Sequence, residues 1–254
     1  MNTVITMLLM IILGSFQDET DSEIAKQLIK NAHRISTLPM AELSDACQCS
    51  PSTLHKFARR LGFDDFTRLR TQMVTTMKVR RDQLIHRHAL TSEETLLKRL
   101  KLLSDESFDE TAFIRIVRQF NEHIHADQEL YILAAGYPQA IALNYIEDMI
   151  IMGKNVIVCP IGYRPQLPVI RERAAVAIIT LTGKLFDYFR EPLEKLAQEN
   201  TDIFVFSARS PAGLLAEKTA VIHVPVTGDD ENANVLLAEM LRYIKYMYFQ
   251  AYGV

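Results

Sequence analysis

From residue 106 onward the chain alternates short, predominantly apolar runs with longer segments of helical period, and few folds accept that rhythm. Leu130-Tyr131-Ile132-Leu133-Ala134-Ala135 is apolar throughout and stops at Gly136. Asn155 to Cys159, Ala174 to Thr180, Asp202 to Phe206 and Ala220 to Val224 repeat the pattern. An unbroken apolar run of this length suits a strand buried on both faces, as in a parallel sheet. Between the runs, Phe108 to Glu122, Gln139 to Met152 and Phe186 to Glu199 have helical period, with shorter segments near Val169 to Arg171 and Pro211; Asn232 to Tyr252 closes the chain. Strands alternating with helices predict a doubly wound α/β domain over residues 106–254. Ligands of such sheets sit beyond the carboxyl ends of the strands, so the turns after Ala135, Cys159 and Thr180 are where a site is expected.

Residues 1–85 read differently, as an all-α domain. Ser50 stands directly before Pro51, so its hydroxyl can accept from the first amides of a helix that Pro51 opens without losing an N–H. Leu54, Phe57, Ala58 and Leu61 then form one apolar stripe, and Gly62 ends it. Ser52, His55, Lys56 and Arg59 fall on the opposite side, with Thr53 and Arg60 on its flanks. Upstream, Met40, Leu43 and Ala46 share a helical spacing, and only Cys47-Gln48-Cys49 separates that segment from Ser50. Two short helices across a tight turn predict a helix-turn-helix, whose second helix reads the major groove. Periodicity alone also fits a small bundle with a solvated basic face.

Charge favours the first reading. Ala46 to His88 carries nine Lys and Arg against three acids, an excess suited to phosphate contact. Residues 1–90 sum to +3 and residues 91–254 to −6, as expected of a basic reader joined to an acidic sensor through a linker at 86–105. Within that linker, Ser92 is placed to cap a helix carrying Leu96, Leu97 and Leu100. Nearer the amino terminus, Asp21 or Ser22 is placed to cap a helix over Glu23 to Asn31.

Three cysteines, Cys47, Cys49 and Cys159, are too few for a disulfide framework and point to a reducing, cytoplasmic setting. Cys47-Gln48-Cys49 has no second ligand pair at zinc-like spacing, so no metal is expected. The apolar run Val4 to Leu13 is shorter than a membrane span and lacks a signal peptide's charged flank; it is expected as a packed helix at a dimer interface.

The run Ser50-Pro51-Ser52-Thr53-Leu54-His55-Lys56-Phe57-Ala58-Arg59-Arg60-Leu61-Gly62-Phe63-Asp64-Asp65-Phe66 resembles the signature of the RpiR (MurR/RpiR) family of bacterial transcriptional regulators. Ile24 to Ile29, Asn31 and Met40 to Leu43 fit the family's first two helices. The resemblance implies a double-stranded DNA operator as partner, contacted through Ser52, Thr53, His55, Lys56, Arg59 and Arg60. It also implies a homodimer or homotetramer, and control of sugar or amino-sugar metabolism genes. The later order of elements resembles the sugar isomerase (SIS) domain of these regulators, which holds a phosphosugar effector on two turns rich in glycine and hydroxyl groups.

Carried onto this chain, the resemblance implies ligand contacts at Gly136 in the first turn and at Thr180, Thr182, Gly183 and Lys184 in the second. Both turns depart from the pattern. Pro138 stands where a serine is expected and offers neither hydroxyl nor N–H. Leu185 stands where the last threonine is expected. An ordinary capped turn at a strand end fits the same residues. His123 and His125 precede the first strand and His223 lies within one, so no catalytic residue or cofactor is expected. Glu147 and Asp148 have no assigned place. Two alternatives stay open: a sugar-phosphate isomerase with an appended DNA-binding domain, and a regulator whose SIS-like domain only assembles the oligomer.

Overall fold

A computed structural model describes residues 4–14, 19–126, 129–134, 136–160, 170, 174–198, 202–209, 220–225 and 230–253. The expected segments near Val169 to Arg171 and Pro211 lie outside these residues, Ile170 excepted, as do Ser15 to Asp18 and Ala135. The chain divides into two compact units, one of residues 1–87 with 147–155 and 254, the other of 88–146 with 156–253.

The first unit is helical. It contains α1 (Val4–Gly14), α2 (Glu19–Lys30), a 3-10 turn (Ala32–Arg34), α3 (Met40–Ala46), α4 (Pro51–Arg60) and the body of α5 (Phe66–Ala89). Helix α1 packs on α2, with Val4, Ile5, Leu8, Leu9 and Ile12 buried. The apolar run expected at a dimer interface is thus spent largely inside the chain, although Met10 stays exposed. The expected cap at Asp21 or Ser22 is not used as such, because α2 begins earlier, at Glu19, and both residues lie inside it. Ser22 is buried, and Asp21 instead pairs with Arg60.

The unit also holds a buried ion pair. Arg80 Nε of α5 donates to the Asp148 carboxylate at 2.7 Å, and Asp148 is fully buried. Glu147 lies beside it and accepts from the Thr6 hydroxyl at 2.8 Å. These two carboxylates, unplaced by sequence, are packing groups at the end of their helix.

The second unit is built on five strands: β1 (Glu129–Ala134), β2 (Asn155–Pro160), β3 (Ala175–Ile179), β4 (Asp202–Ser207) and β5 (Ala220–His223), in the order β2-β1-β3-β4-β5. The pairs β1·β3, β3·β4 and β4·β5 are parallel, with Ile132 opposite Ala177 and Ile178 opposite Val205. The helices are α6 (Glu93–Leu103), α7 (Glu110–Ala126), α8 (Tyr137–Ile151, whose end belongs to the first unit), α9 (Lys184–Tyr188), α10 (Arg190–Gln198) and α11 (Asp230–Tyr252). The single helix expected over Phe186 to Glu199 is two, divided at Phe189.

Alternation along each strand sends side chains to both faces. Val176, Ile178, Ile203 and Val205 pack with Leu185, Phe186, Phe189 and Leu193 of the α9–α10 segment. Phe204 and Phe206 instead meet Phe120 of α7, with ring centroids 4.7 and 5.7 Å apart. The runs of β1 and β3 are continuously apolar because neither of their faces is wet, whereas the edge strand β5 leaves His223 exposed. Ser92 caps α6 as expected, its hydroxyl accepting the Thr95 amide at 3.2 Å. Helices α6 and α11 are tied by Tyr243 donating to Glu93 at 2.7 Å and by Arg99 pairing with Glu239 at 2.8 Å. Asn121 of α7 donates to the Ile244 carbonyl of α11 at 3.1 Å. Leu236, Met240, Leu241 and Ile244 of α11 are buried within this unit, while Val235 stays exposed.

Replacing Arg80 with Met removes the guanidinium from a buried carboxylate and is expected to cost about 3–5 kcal/mol. Adding Asp148→Leu should recover much of that loss. Urea denaturation followed by circular dichroism measures both, and an additive or larger loss in the double variant would contradict the pairing.

Candidate nucleic-acid interface and ligand pocket

Helix α4 is closed at both ends by its own sequence. The Ser50 hydroxyl accepts the Thr53 amide at 3.2 Å, and Pro51 occupies the first helical position. At the other end Gly62 takes φ +86°, the Gly62 amide bonds Arg59 O at 3.0 Å, and the Phe63 amide bonds Ala58 O at 3.0 Å. That pair of bonds needs a left-handed residue, which glycine supplies without steric cost. The turn between α3 and α4 closes in the same way, through Gln48 N to Asp45 O and Cys49 N to Ser44 O, but its left-handed residue is Gln48, at φ +50°. Leu54, Phe57 and Ala58 are buried, and Leu61 is only half-buried.

Of the six residues expected to meet DNA, Ser52, Lys56, Arg59 and Arg60 are exposed, and Thr53 and His55 are half-buried. Two of the six are tied to other segments of the unit. His55 Nδ1 accepts the amide of Phe66, the first residue of α5, at 3.3 Å, and so fixes the turn that follows α4. Arg60 Nε donates to Asp21 Oδ2 at 2.9 Å, and its Nη2 also reaches that carboxylate. The hydroxyls of Ser52 and Thr53 cluster on Ser50 at 2.8 and 2.9 Å. Lys56 and Arg59 therefore dominate the outward charge of the helix. The basic excess counted along the sequence is also partly spent inside the unit: Arg80 neutralises Asp148, and the Arg70 guanidinium lies over the Phe66 ring, 5.4 Å from its centroid.

Cys47 and Cys49 flank the α3–α4 turn as free thiols. Burial, with Cys49 and Glu23 adding to it, pushes the Cys47 thiol up to about 12. A thiol held protonated is a poor metal ligand. Among the described residues no group of three or more His, Cys, Asp or Glu is placed to hold a metal ion.

In the second unit a cavity of about 350 Å³ opens at the carboxyl ends of β1 and β3, between strands that lead to opposite sides of the sheet. This is the switch point at which open α/β sheets hold ligands. Thr180, Thr182 and Lys184 line it, together with Tyr137 and Pro138 from the start of α8, Ile179, Leu181, Leu185, Tyr188 and Phe189 from the β3–α9 segment, and Asn234 of α11. Gly136 and Gly183, also expected at the ligand, shape its two turns with φ +61° and +70°. At Gly183 a β-carbon would come within 2.8 Å of Arg209 Cδ.

The β3–α9 turn satisfies its own amides. Thr180 Oγ1 accepts the Leu185 amide at 3.4 Å, and Thr182 Oγ1 meets the Lys184 amide at 3.5 Å. The Gly183 amide bonds Thr180 O at 3.2 Å, and the Phe186 amide bonds Gly183 O at 3.0 Å. Sequence reasoning missed Tyr137, Tyr188, Phe189 and Asn234. Tyr137 follows the first glycine directly and Tyr188 stands one helical turn beyond Lys184, so both were within reach of spacing; Asn234 is brought in by tertiary folding. The histidines lie elsewhere: His123 Nδ1 is 2.8 Å from Asp202 at the start of β4, His125 stacks on Tyr252 at 3.8 Å, and His223 meets the Ser107 hydroxyl at 3.3 Å.

Residues 13–78 match the model of the helix-turn-helix domain, rpiR family. Among solved structures, the chain is similar to a hypothetical protein of Methanococcus jannaschii for which a 3-hexulose-6-phosphate isomerase function has been inferred, at 9% identity and a TM-score of 0.50, covering 64% of this chain and 92% of that one. It is also similar to the Vibrio vulnificus NanR protein complexed with ManNAc-6P, at 14% identity and a TM-score of 0.41, over 96% and 92%. A third is the sugar isomerase domain of an RpiR transcription factor from Sphaerobacter thermophilus, at 15% identity and a TM-score of 0.38, over 63% and 92%. At such identities the Methanococcus match speaks to the fold alone. No described helix is long and apolar enough to cross a membrane. The chain carries a helix-turn-helix domain of the rpiR family near its amino terminus, followed by a doubly wound α/β domain with the fold of the Methanococcus protein.

Proposed function

We propose that this chain is a cytoplasmic DNA-binding transcription regulator of the RpiR type, in which α4 enters the major groove of a double-stranded operator and the α/β domain senses a small molecule. The observation that carries the reading is the division of α4 into two faces. Leu54, Phe57 and Ala58 hold it to the core, while Ser52, Lys56 and Arg59 face outward from a helix closed at both ends. A rigid short helix with a hydroxyl in its first turn and cations farther along the same outward face suits base-edge and phosphate contact. Thr53 supports the cap, and His55 and Arg60 act as positioning residues through Phe66 and Asp21.

The α/β domain supports sensing over catalysis. Moving a proton between sugar carbons takes a positioned acid and base, most often His or Glu. The described residues lining the cavity include neither, nor any Asp. The effector is a small molecule bound at the turn of Thr180, Thr182 and Lys184, for which the resemblance to sugar isomerase domains implies a phosphosugar or a relative of one, and the regulated genes belong to sugar or amino-sugar metabolism. The regulator acts as a homodimer or homotetramer, because one helix-turn-helix covers only a half-site.

Replacing Lys56 and Arg59 together with Ala should weaken operator binding by more than about tenfold, since each good base contact is worth roughly 1–3 kcal/mol. Thermal stability should hardly change, because neither side chain belongs to the core. A gel-shift titration at fixed salt measures the first effect, and unchanged affinity would remove α4 from the reader role. Light scattering at micromolar concentration should give at least the mass of a dimer; a monomer both with and without DNA would contradict the assembly.

A further inference from the structure

The walls of the cavity carry more information than its position. A phosphate ester brings nearly two negative charges and three acceptor oxygens, and strand-end turns hold it with several unspent backbone amides. Here the amides of Gly183 and Phe186 bond Thr180 O and Gly183 O at 3.2 and 3.0 Å, and those of Leu185 and Lys184 face the Thr180 and Thr182 hydroxyls at 3.4 and 3.5 Å, so this turn directs four of its donors inward. On the facing turn Pro138 has no amide to give. Among the described lining residues Lys184 is the one cation.

What remains is largely apolar. Ile179, Leu181, Leu185 and Phe189 form the walls, and Tyr137 and Tyr188 are 78% and 77% exposed. Aromatic rings left in water beside an apolar cavity lose little freedom when a flat apolar body covers them, and they hold it by stacking. A single ammonium group suits a single carboxylate. The volume, about 350 Å³, is at the small end for ligand sites, room for one or two rings.

From this we infer that the pocket takes a small monocarboxylate with an aromatic or otherwise flat apolar body, in place of a sugar phosphate, the carboxylate on Lys184 and the Thr182 hydroxyl and the ring between Tyr137 and Tyr188. The inference rests on the sensing role proposed for this domain and names the chemistry of its ligand. Thr180 is a positioning residue, since its side chain is buried where that of Thr182 is exposed, and its hydroxyl accepts the Leu185 amide at the start of α9.

The test uses the full chain. It contains no tryptophan, so the fluorescence of an indole carboxylate, excited on the long-wavelength side of tyrosine absorption, can be followed without indole background from the protein. Indole and benzene carboxylates, their neutral carboxamides, hexose phosphates, N-acetylhexosamine phosphates and inorganic phosphate are titrated by this signal or by thermal shift. The expected result is that the aromatic carboxylates bind and raise the melting temperature, that the carboxamides bind more weakly, and that the phosphates give no shift. Lys184→Ala should weaken the carboxylates by roughly tenfold, the scale of one charge-assisted hydrogen bond, and Lys184→Arg should restore most of it. Tyr137→Ala with Tyr188→Ala should weaken carboxylate and carboxamide alike. These side chains are exposed, so the variants should keep the wild-type melting temperature without ligand.

Stabilisation by hexose phosphates without any effect of the aromatic carboxylates would overturn the inference. So would the absence of binding by every probe, or carboxylate binding indifferent to Lys184→Ala. None of these results touches the regulator reading, which stands or falls on the operator titration of the Lys56 and Arg59 variant.

Discussion

The parallel pairing of β1 with β3 governs the second unit. The chain leaves β1 toward β2 on one side of the sheet and leaves β3 toward β4 on the other, so the two strand ends are neighbours whose continuations part. A gap between them follows from topology before any side chain is chosen. Backbone groups at such a gap must still be paired. Thr180 does most of that pairing, with its amide on Phe206 O, its carbonyl on the Gly183 amide and its hydroxyl on the Leu185 amide. The same residue that closes β3 therefore decides how many donors the gap keeps for a ligand.

Much of this was legible in the sequence because each signal was local. Five apolar runs at strand length announced five strands, and Ser50-Pro51 and Gly62 marked the two ends of α4. The turn of Thr180, Thr182 and Lys184 lies on the cavity because strand ends and ligand sites coincide in this architecture. What failed was what depends on partners distant in sequence. Asp21 looked like a helix cap, but α2 starts before it and its carboxylate meets Arg60. His55 falls on the outward side by angle alone, and only the fold brings the Phe66 amide to it.

Charge counting shows the same limit. A guanidinium contributes to a field at DNA according to its distance and to the carboxylate beside it, and sequence reports neither. Arg80 and Lys56 count equally along the chain, yet Arg80 is half-buried and paired with Asp148 while Lys56 stands in water. Apolar segments behave likewise. By pattern alone Leu236, Met240, Leu241 and Ile244 of the final helix would suit an assembly surface, but they are buried in a unit where α11 packs on α6 and α7.

The two candidate sites differ in how tightly function is bound to stability. In α4 the residues that hold the helix and the residues that face outward are separate sets. Caps and core come from Ser50, Leu54, Phe57, Ala58 and Gly62, and the outward groups are Ser52, Lys56 and Arg59. Such a surface can change its target at little energetic cost, since substitutions of exposed residues usually move stability by less than about 0.5 kcal/mol. At the β3–α9 turn the sets overlap. Thr180 and Leu185 line the cavity and also carry the hydrogen bond and the apolar packing that seat α9 on the sheet. Altered ligand preference is therefore cheapest at Tyr137, Lys184 and Tyr188, which touch the cavity from positions that bear little of the fold.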